Sequence, residues 1–437
     1  MTINKSITYA EAINQGMHQA MQLSKNVMVM GQLIDYSSGV FGTTVGLIDK
    51  FGEKRVRDFP VAESLMTSAG IGAAVAGKRV ILVHIRIDFM MYSLDAIVNW
   101  LSLWRFKSNK ESNVPLVIRA IVGRGWGQGP QHSKSLHSWF GHLPGIKVAM
   151  PATAFDAKGL LLESVFGEDP SIIIEHRSLF GLKDKVPAEP YRVRYGKALV
   201  RKEGKDVTLV AIGCLVVDAL KAAKILETQG ISVEVVDPRT LTPLDKETIN
   251  KSILKTKRLV VADPGWQSFG AASEIITLVT EKNMHIMKAN PIRITLPDSH
   301  TPMSKNLEES YYFNEEKIVS RILKLIKPWK KNFSKVKTPV TSQEWRKKSE
   351  ESRINIISEE LKKNSLYKDF EVIKAADDGQ IILKIERIIP ANQRGLLLLE
   401  LEEKLKLIDK GITIWCEPVG DKSKLRKLRG VEIVTWV

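Results

Sequence analysis

The sequence predicts an α/β protein whose mostly parallel sheets alternate with helices in two successive domains. The apolar runs Val114–Arg119 and Val207–Cys214 are typical of strands that are covered on both faces. The stretch Val217–Gln229 has its apolar residues at helical spacing and lies between two such strands. Regular alternation of strands and helices favours parallel sheets, because each parallel connection needs a crossover helix.

The chain has 437 residues, of which 44% are hydrophobic and 26% are charged, as in a globular protein with a substantial core. This length implies two to three domains. We place a first α/β domain at residues 1–185 and a second at 196–328. A basic linker at 329–348 and a small α+β domain at 349–437, whose role the sequence does not indicate, complete the chain.

Composition and targeting signals indicate a cytoplasmic protein. No apolar run reaches the roughly 18 residues of a transmembrane helix. The N-terminus lacks the apolar stretch of a signal peptide. Cys214 and Cys416 lie far apart in predicted strands, as expected for reduced thiols rather than a disulfide framework.

The formal net charge of +16 raises the question of nucleic-acid binding. The charge is concentrated: the segment from Lys327 to Lys348 contains eight Lys or Arg and one Glu, and a second basic cluster lies near the C-terminus. No zinc-finger spacing or RNA-binding aromatic motif accompanies these clusters. They favour a solvated linker or a surface for an acidic partner over nucleic acid.

Residues 57–89 are the most informative stretch, with a loop carrying Glu63, a helix of small residues and a strand expected to end near Phe89. Glycine costs about 1 kcal/mol in a helix interior, so this composition implies close approach of another helix or subunit. Glu63 precedes the apolar helix, where its carboxylate is partly desolvated. Its position alone is better explained by an acidic residue favoured at a helix N-terminus.

The same stretch resembles the β subunit of the E1 component of 2-oxo acid dehydrogenases. The family pattern D-x-P-[IV]-x-E is met by Asp58, Pro60, Val61 and Glu63, and A-G-x-R by residues 76–79. Further motifs follow in the family's order, and the resemblance extends from about residue 7 to residue 329. It does not cover the last hundred or so residues.

A second motif, Gln131-His132-Ser133, resembles the family's Q-H-S-Q-S-L segment. An isolated loop histidine is usually bonded to backbone, but the resemblance implies that His132 is the active-site histidine and His142 a further motif position. His137 stands where the family often has Glu or Ala, and we assign it no role. Glycines before this motif suggest a dinucleotide loop, but no βαβ unit follows, which excludes that interpretation.

The resemblance implies a transketolase-like pyrimidine-binding domain with a parallel sheet, a transketolase C-terminal α/β domain and a small α+β extension. It also implies thiamine diphosphate as cofactor. Glu63 would bond N1′ of the aminopyrimidine, Phe89 would pack on that ring, and Val61 would contact the cofactor. His132 would lie on the substrate side.

The chain would hold only half of such a site. Gly-Asp-Gly, which begins the Mg²⁺-diphosphate motif of thiamine enzymes, does not occur in it. The family therefore implies an α-type partner that carries the diphosphate and Mg²⁺, in an α2β2 assembly. A lipoyl-bearing acyltransferase is one acceptor that the family suggests for the acyl unit.

Two departures from the family leave other functions open. Gln32 stands where the family usually has Glu, and it cannot carry charge or relay a proton. The family's Y-M-S-G-G loop is replaced at residues 106–110. The expected function is decarboxylation of a 2-oxo acid with acyl transfer. The alternatives are a split transketolase-like or carboligating enzyme and, less favoured, a non-catalytic scaffold.

Overall fold

The structure, a computed structural model, describes residues 4–124, 127–326, 339–385, 389 and 391–417. The chain divides into two compact units, Met1–Pro328 and Trp329–Val437. The first unit contains both predicted α/β domains, and the second contains the small α+β domain.

The first α/β domain consists of a central sheet with helices on its faces and a separate two-stranded sheet of β1 and β8. The strands of this domain are β1 (Asn4–Thr8), β2 (Val27–Gly31), β3 (Val56–Asp58), β4 (Arg79–His84), β5 (Leu116–Val122), β6 (Lys147–Ala149), β7 (Ser171–His176) and β8 (Lys183–Pro187). Its helices are α1 (Tyr9–Leu23), α2 (Leu47–Phe51), α3 (Glu63–Val75), α4 (Ile87–Met90), α5 (Trp104–Lys107), α6 (His137–Gly141) and α7 (Ala154–Val165). Residues Ala96–Leu101 form a π-helix.

Local sequence features explain where helix α1 begins and how closely helix α3 packs on the sheet. Thr8 and Glu11 form a capping box at the start of α1: the Glu11 N–H donates to Thr8 Oγ1 at 3.2 Å, and the Thr8 N–H donates to Glu11 Oε2 at 2.7 Å. The small residues of α3 let it lie close to the sheet, because a Cβ on Gly70 would be 3.2 Å from Leu116 Cδ1. None of the described residues lies within 4 Å of a Cβ at Gly72, so in this part of the chain the opposite face of α3 is open.

The second α/β domain is built from strands β9 (Leu199–Lys202), β10 (Val207–Ala211), β11 (Val233–Asp237), β12 (Thr240–Thr242), β13 (Leu259–Trp266) and β14 (Ile292–Leu296). Its helices are α8 (Leu215–Glu227), α9 (Lys246–Thr256), α10 (Ala271–Asn283), α11 (Lys305–Tyr311) and α12 (Glu315–Ile326). Its sheet has the order β14-β13-β10-β11-β9, and only β9 pairs antiparallel to its neighbour within the described residues. The predicted parallel arrangement is therefore confirmed.

The main sheet of the first domain has the order β12-β6-β7-β5-β4-β2-β3 over the described part of the chain. The strands from β6 to β3 in this order are all parallel. The edge strand β12 comes from the second domain and pairs antiparallel with β6. The two domains thus share a sheet, which the sequence did not indicate.

Two predicted boundaries were wrong. The strand expected to end near Phe89 ends at His84. The apolar residues continue beyond it because Ile87 is buried in helix α4, not in a strand. The polar, proline-bearing stretch Lys183–Tyr195 favours a linker between the two domains, but it begins with β8, which pairs antiparallel with β1. The polar residues of β8 fit a two-stranded ribbon that is exposed on one face.

Buried ion pairs also join the two α/β domains. Asp156 of α7 and Asp237 of β11 are both fully buried and share Arg201 of β9. Arg239 adds a second contact, 2.9 Å from its Nη2 to Asp156 Oδ1. Since a buried carboxylate is costly without a cation, these pairs hold the domains in one arrangement.

The small domain consists of α13 (Gln343–Lys347), α14 (Glu350–Lys362), β15 (Phe370–Ala375), β16 (Gln380–Ile385), α15 (Ala391–Leu405) and β17 (Thr413–Cys416). Its sheet has the order β15-β16-β17, with β16 and β17 parallel. Residues 343–347, predicted as linker, form a helix whose Trp345 is buried in the core, so this core begins before residue 349. The predicted basic tail lies outside the described residues.

No helix in the described part of the chain is long and apolar enough to span a membrane.

A fully buried ion pair ties β5 to β7 in the main sheet. Arg119 Nε and Nη2 donate to the two carboxylate oxygens of Glu175 at 2.6 Å and 2.7 Å. Both side chains are almost completely excluded from solvent. This bidentate geometry compensates the charge of each group, whose desolvation is expensive.

We predict that Glu175→Gln lowers the free energy of unfolding by about 3–5 kcal/mol, because it leaves the Arg119 charge buried without a carboxylate. Urea unfolding of the purified chain measures the change. The control is Glu247→Gln in the exposed pair of Glu247 and Lys251, where solvent screens both charges and the free energy of unfolding should change little. Equal small losses in both variants would contradict the prediction.

Candidate active site

The carboxyl ends of the parallel strands bring the predicted site residues to one edge of the main sheet. Gln32 follows β2, Glu63 follows β3, Phe89 follows β4 and His132 lies in the loop after β5. These four strands are neighbours in the order β5-β4-β2-β3. Because carboxyl ends of parallel strands share an edge, the four loops meet there.

Glu63 is the first residue of α3, and its side chain is only 8% exposed. The residue before it, Ala62, provides no side-chain cap for the helix. The free N–H groups of the first turn therefore favour a negative charge at this position. Helix α3 packs against α4, which carries Phe89.

Phe89 and His132 are in direct contact. Their rings meet edge to face, with centroids 5.3 Å apart and an interplanar angle of 84°. Gly123 makes this approach of the His132 loop possible, because a Cβ at Gly123 would lie 2.1 Å from the His132 carbonyl oxygen. The absence of a side chain at residue 123 thus helps to fix where His132 lies.

Gln32 is 7% exposed and lies at the end of β2, between β3 and β4. Its Nε2 is buried and has no hydrogen-bond partner among the described residues. The adjacent loop is held by Asp58, whose Oδ1 accepts the Ile34 N–H at 3.0 Å. Burial raises the pKa of Asp58. Gln32 therefore offers an unsatisfied amide donor at the edge where Glu63 lies.

Two other residues singled out in the sequence have different surroundings. Val61 is 84% exposed and open to a group outside this chain. His142 is exposed and lines a separate, mainly apolar cleft of about 1120 Å³ between the two α/β domains. His142 therefore does not join Phe89 and His132.

His137, which had no role in the sequence analysis, links the two domains beside this cleft. Its Nε2 lies 2.8 Å from Asp263 Oδ1 and its Nδ1 lies 2.9 Å from Ser135 Oγ, and both His137 and Asp263 are fully buried. Burial alone raises the pKa of Asp263, but His137 and the N–H groups of Gly265 and Ala272 bring it below its ordinary value. Sequence spacing could not reveal a pair 126 residues apart.

A buried polar cluster under the site was also missed. Thr67 lies one turn after Glu63 and donates to Ser93 Oγ at 2.9 Å, and His84 Nε2 lies 3.1 Å from Thr67 Oγ1. Since the Thr67 hydroxyl donates to Ser93, we assign the His84 proton to Nε2. The His84 Nδ1 is buried without a partner among the described residues, and burial lowers the pKa of His84 to about 3. This neutral histidine fastens the start of α3 to the end of β4.

No group of three or more His, Cys, Asp or Glu side chains within the described residues is arranged to hold a metal ion. The site as described therefore consists of one buried carboxylate, one amide, one aromatic ring and one imidazole.

The chain matches two family models: the pyrimidine-binding domain of transketolase over residues 5–183 and the C-terminal domain of transketolase over residues 196–318. It is also 40% identical over 324 residues to the pyruvate dehydrogenase E1 component subunit beta of Acholeplasma laidlawii, covering 74% of this chain and 98% of that protein. The chain belongs to the E1 β family. The resemblance noted in the sequence and the transketolase-like fold are thereby confirmed.

Other relatives of this E1 β-family chain differ in their named reactions. The beta subunit of an acetoin:2,6-dichlorophenolindophenol oxidoreductase from Bacillus subtilis is 36% identical over 332 residues, 73% of this chain and 97% of that one. The 2-oxoisovalerate dehydrogenase subunit beta of the same organism is 37% identical over 321 residues, 73% and 98% respectively. These relatives share the subunit type and differ in the substrates for which they are named.

Solved structures support the fold of the first unit. A split-gene transketolase described as an inactive beta4 tetramer has a TM-score of 0.61 and 23% identity, covering 74% of this chain and 99% of that chain. A transketolase variant from Pichia stipitis has a TM-score of 0.53 and 17% identity, over 75% of this chain and 48% of that chain. The family models end before the small domain of this E1 β-family chain.

We predict that the stability of the chain falls between pH 7 and pH 5, in part because of His84. Its folded pKa of about 3 is below the unfolded value of 6.5, so the unfolded chain binds the proton first and stability is lost as pH falls through 6.5. The contribution at pH 5 is about 2 kcal/mol. Urea unfolding at several pH values measures it.

The variant His84→Asn should show a shallower dependence of unfolding free energy on pH over this range. The control, His285→Asn, alters an exposed histidine and should leave the dependence unchanged. His176 is buried with a pKa lowered to about 3 by burial and by Arg124, so some dependence should remain in both variants. An unchanged slope in His84→Asn would contradict the prediction.

Proposed function

We propose that this chain is the β-type subunit of a thiamine-diphosphate-dependent 2-oxo acid dehydrogenase, which decarboxylates a 2-oxo acid and transfers the acyl unit. Glu63 is the observation that carries the proposal. It is a buried carboxylate at the start of α3, at the same sheet edge as Phe89 and His132, in a chain of the E1 β family.

The side chains at this edge fit the aminopyrimidine half of thiamine diphosphate. The carboxylate of Glu63 would bond N1′, and the half-buried ring of Phe89 would pack against the pyrimidine. Exposed Val61 would contact the cofactor from the other side, and the unpartnered Nε2 of Gln32 would donate to a nearby acceptor. When bound, the cofactor would supply a nucleophilic carbon and, in its cationic ring, an acceptor for the electron pair released by decarboxylation.

Glu63 and His132 are the groups of this chain that would handle protons. A carboxylate in a largely desolvated place can share a proton with a weakly basic ring nitrogen, which is the role proposed for Glu63. His132, held by its contact with Phe89, would hydrogen-bond the reacting oxygen or the incoming acyl acceptor. The pair Thr67 and His84 would keep Glu63 in place.

The remaining half of the site would come from a partner chain. Gly-Asp-Gly is missing from the sequence, so an α-type E1 subunit would bind the diphosphate and its Mg²⁺. We infer an α2β2 complex, with a lipoyl-bearing acyltransferase as the further partner to test. The proposed location is the cytoplasm, where Cys214 and Cys416, both free thiols, stay reduced.

A carboligating or split transketolase-like enzyme is the second candidate. The observation that favours it is Gln32, which is buried at the sheet edge and neutral where the family usually has Glu. A neutral amide can position a substrate but cannot relay a proton between sites. In this case an aldehyde, rather than an acyl acceptor, would capture the decarboxylated unit.

The direct test is reconstitution. We expect the chain co-purified with its α-type partner, thiamine diphosphate and Mg²⁺ to decarboxylate a 2-oxo acid and reduce an artificial electron acceptor. Acceptor reduction distinguishes oxidation from carboligation, which instead consumes an added aldehyde. The chain alone should bind thiamine diphosphate poorly, with or without Mg²⁺. Micromolar affinity of the isolated chain in calorimetry would refute the shared site.

Glu63→Gln tests the proposed proton-sharing role. Glutamine keeps the size and hydrogen bonding of Glu63 but cannot share a proton with N1′, so exchange of the cofactor C2 proton with deuterated water should collapse. NMR of the reconstituted complex measures this exchange. Cofactor affinity should fall only modestly, because the diphosphate is bound by the partner.

If Glu63 only stabilises the start of α3, the same substitution costs at most about 1 kcal/mol of stability. Exchange would then continue at the wild-type rate, and Glu63 would have no catalytic role. The exposed Glu274 in the first turn of α10 gives a matched control, since Glu274→Gln makes the same change at another helix start.

A further inference from the structure

Two arginines lie at the carboxyl edge of the main sheet, next to the loops that carry Phe89 and His132. Arg86 follows β4, and Arg177 follows β7. Both guanidinium groups lie over the ring of Phe41, with their carbons 5.1 Å and 4.7 Å from its centroid. Two like charges therefore face a single aromatic ring in a half-buried setting.

The hydrogen bonds of Arg86 go to neutral acceptors. Its Nη1 donates to the Ile85 carbonyl and its Nη2 to Gln128 Oε1, each at 3.1 Å. Its Nε is buried without a partner in the described part of the chain. None of the described carboxylates lies within 4.0 Å of this guanidinium. The charge of Arg86 is thus without direct compensation.

The closest acidic influence on Arg86 comes from Asp88, whose Oδ1 is shared with Lys134 and whose Oδ2 is buried without a hydrogen-bond partner among the described residues. Asp88 Oδ1 accepts the backbone N–H of Lys134 at 3.2 Å and lies 3.5 Å from Lys134 Nζ. Burial lowers the pKa of Arg86, Asp88 raises it in part, and the positive charge of Arg177 lowers it again. A cation in this situation gains most from an anion that arrives from outside the chain.

Arg86 is close to the proposed substrate side of the site. A Cβ on Gly123 would lie 3.6 Å from Arg86 Nε and 2.1 Å from the His132 carbonyl oxygen, so both groups flank Gly123. Gln128, the partner of Arg86, precedes His132 by four residues in the same loop. An anion bound by Arg86 would therefore be held beside His132.

A purely structural role for Arg86 would be to fasten the loop through Gln128. A neutral donor would do this without the cost of a half-buried charge next to Arg177. The planar guanidinium instead matches a carboxylate or phosphate oxygen pair. The contacts therefore favour anion recognition over simple loop attachment.

We propose that Arg86, with Arg177 beside it, binds a second anionic group on the substrate, so that the preferred 2-oxo acid carries a terminal carboxylate in addition to its 2-oxo carboxylate. This inference rests on the proposed function and adds the substrate class. A terminal phosphonate offers the same chemistry and is separated from a carboxylate by the assay below.

The test uses the complex reconstituted with the α-type partner, thiamine diphosphate and Mg²⁺. It compares kcat/KM for pairs of equal chain length, 2-oxoglutarate with 2-oxopentanoate and 2-oxoadipate with 2-oxohexanoate. We expect a preference of at least about tenfold for the dianionic member of one pair. In Arg86→Met this preference should fall by roughly 10- to 100-fold, mainly through KM of the dianionic acid. The probe 2-oxo-4-phosphonobutanoate shows whether phosphonate is preferred to carboxylate.

Arg55 provides the matched control. It is also half-buried, donates to the carbonyls of Met21, Ser24 and Val27 and lies 5.1 Å from the centroid of the Phe51 ring, but it contacts the start of β2 at the opposite edge of the sheet. Arg55→Met should therefore leave the preference unchanged.

Three results would overturn the inference. The wild-type complex could show no preference for the dianionic acids. Arg86→Met could lower kcat/KM equally for both members of each pair, which would mean that Arg86 only attaches the loop. The variant could fail to bind the α-type partner, which would mean that Arg86 pairs with that chain. Failure of the proposed function is distinct: the wild-type complex would then turn over no 2-oxo acid of either class, and the substrate assignment would fall with it.

Discussion

The parallel pairing of β5, β4, β2 and β3 is the constraint on which the rest of the structure depends. Parallel neighbours cannot be joined by tight turns, so each strand is followed by a loop and a crossover, and all carboxyl ends lie along one edge. Residues that are 100 positions apart in sequence, from Gln32 to His132, thereby lie along the same edge of the sheet. A register shift in any of these strands would move its loop out of the site.

The buried charged groups of the first unit are of two kinds: those paired with a group of this chain, and Arg86, which is not. The pair Arg119 and Glu175 inside the main sheet, and the pair His137 and Asp263 between the domains, are fully buried and matched within the chain. Such pairs add specificity to strand and domain placement, because any other arrangement would leave a charge without a partner. Arg86 has no carboxylate of this kind among the described residues and lies beside the proposed substrate. We therefore connect the unmatched charge with ligand recognition.

The proposed division of labour between two chains agrees with the character of this sheet edge. Glu63, Phe89 and Gln32 offer a carboxylate, a ring and an amide, which suit a neutral aromatic heterocycle. No cluster of ligands for a metal ion is found in the described residues, and the Mg²⁺-diphosphate motif is not in the sequence. The small domain beyond residue 338 has its own core around Trp345.

The sequence by itself determined the α/β class, the main strands and helices, and the family, because apolar periodicity, capping residues and short motifs are local signals. Glu63, Phe89 and His132 could be singled out for the same reason. The tertiary structure alone decided what depends on distant partners: β12 joining the first sheet, β8 pairing with β1, and His137 facing Asp263. The end of β4 at His84 could not be predicted from the sequence either, since a buried strand and a buried helix both appear as a run of apolar residues. The sequence does not distinguish Arg86 from other charged residues, because only three-dimensional packing places it next to Arg177 and Phe41 and shows that no described carboxylate pairs with it.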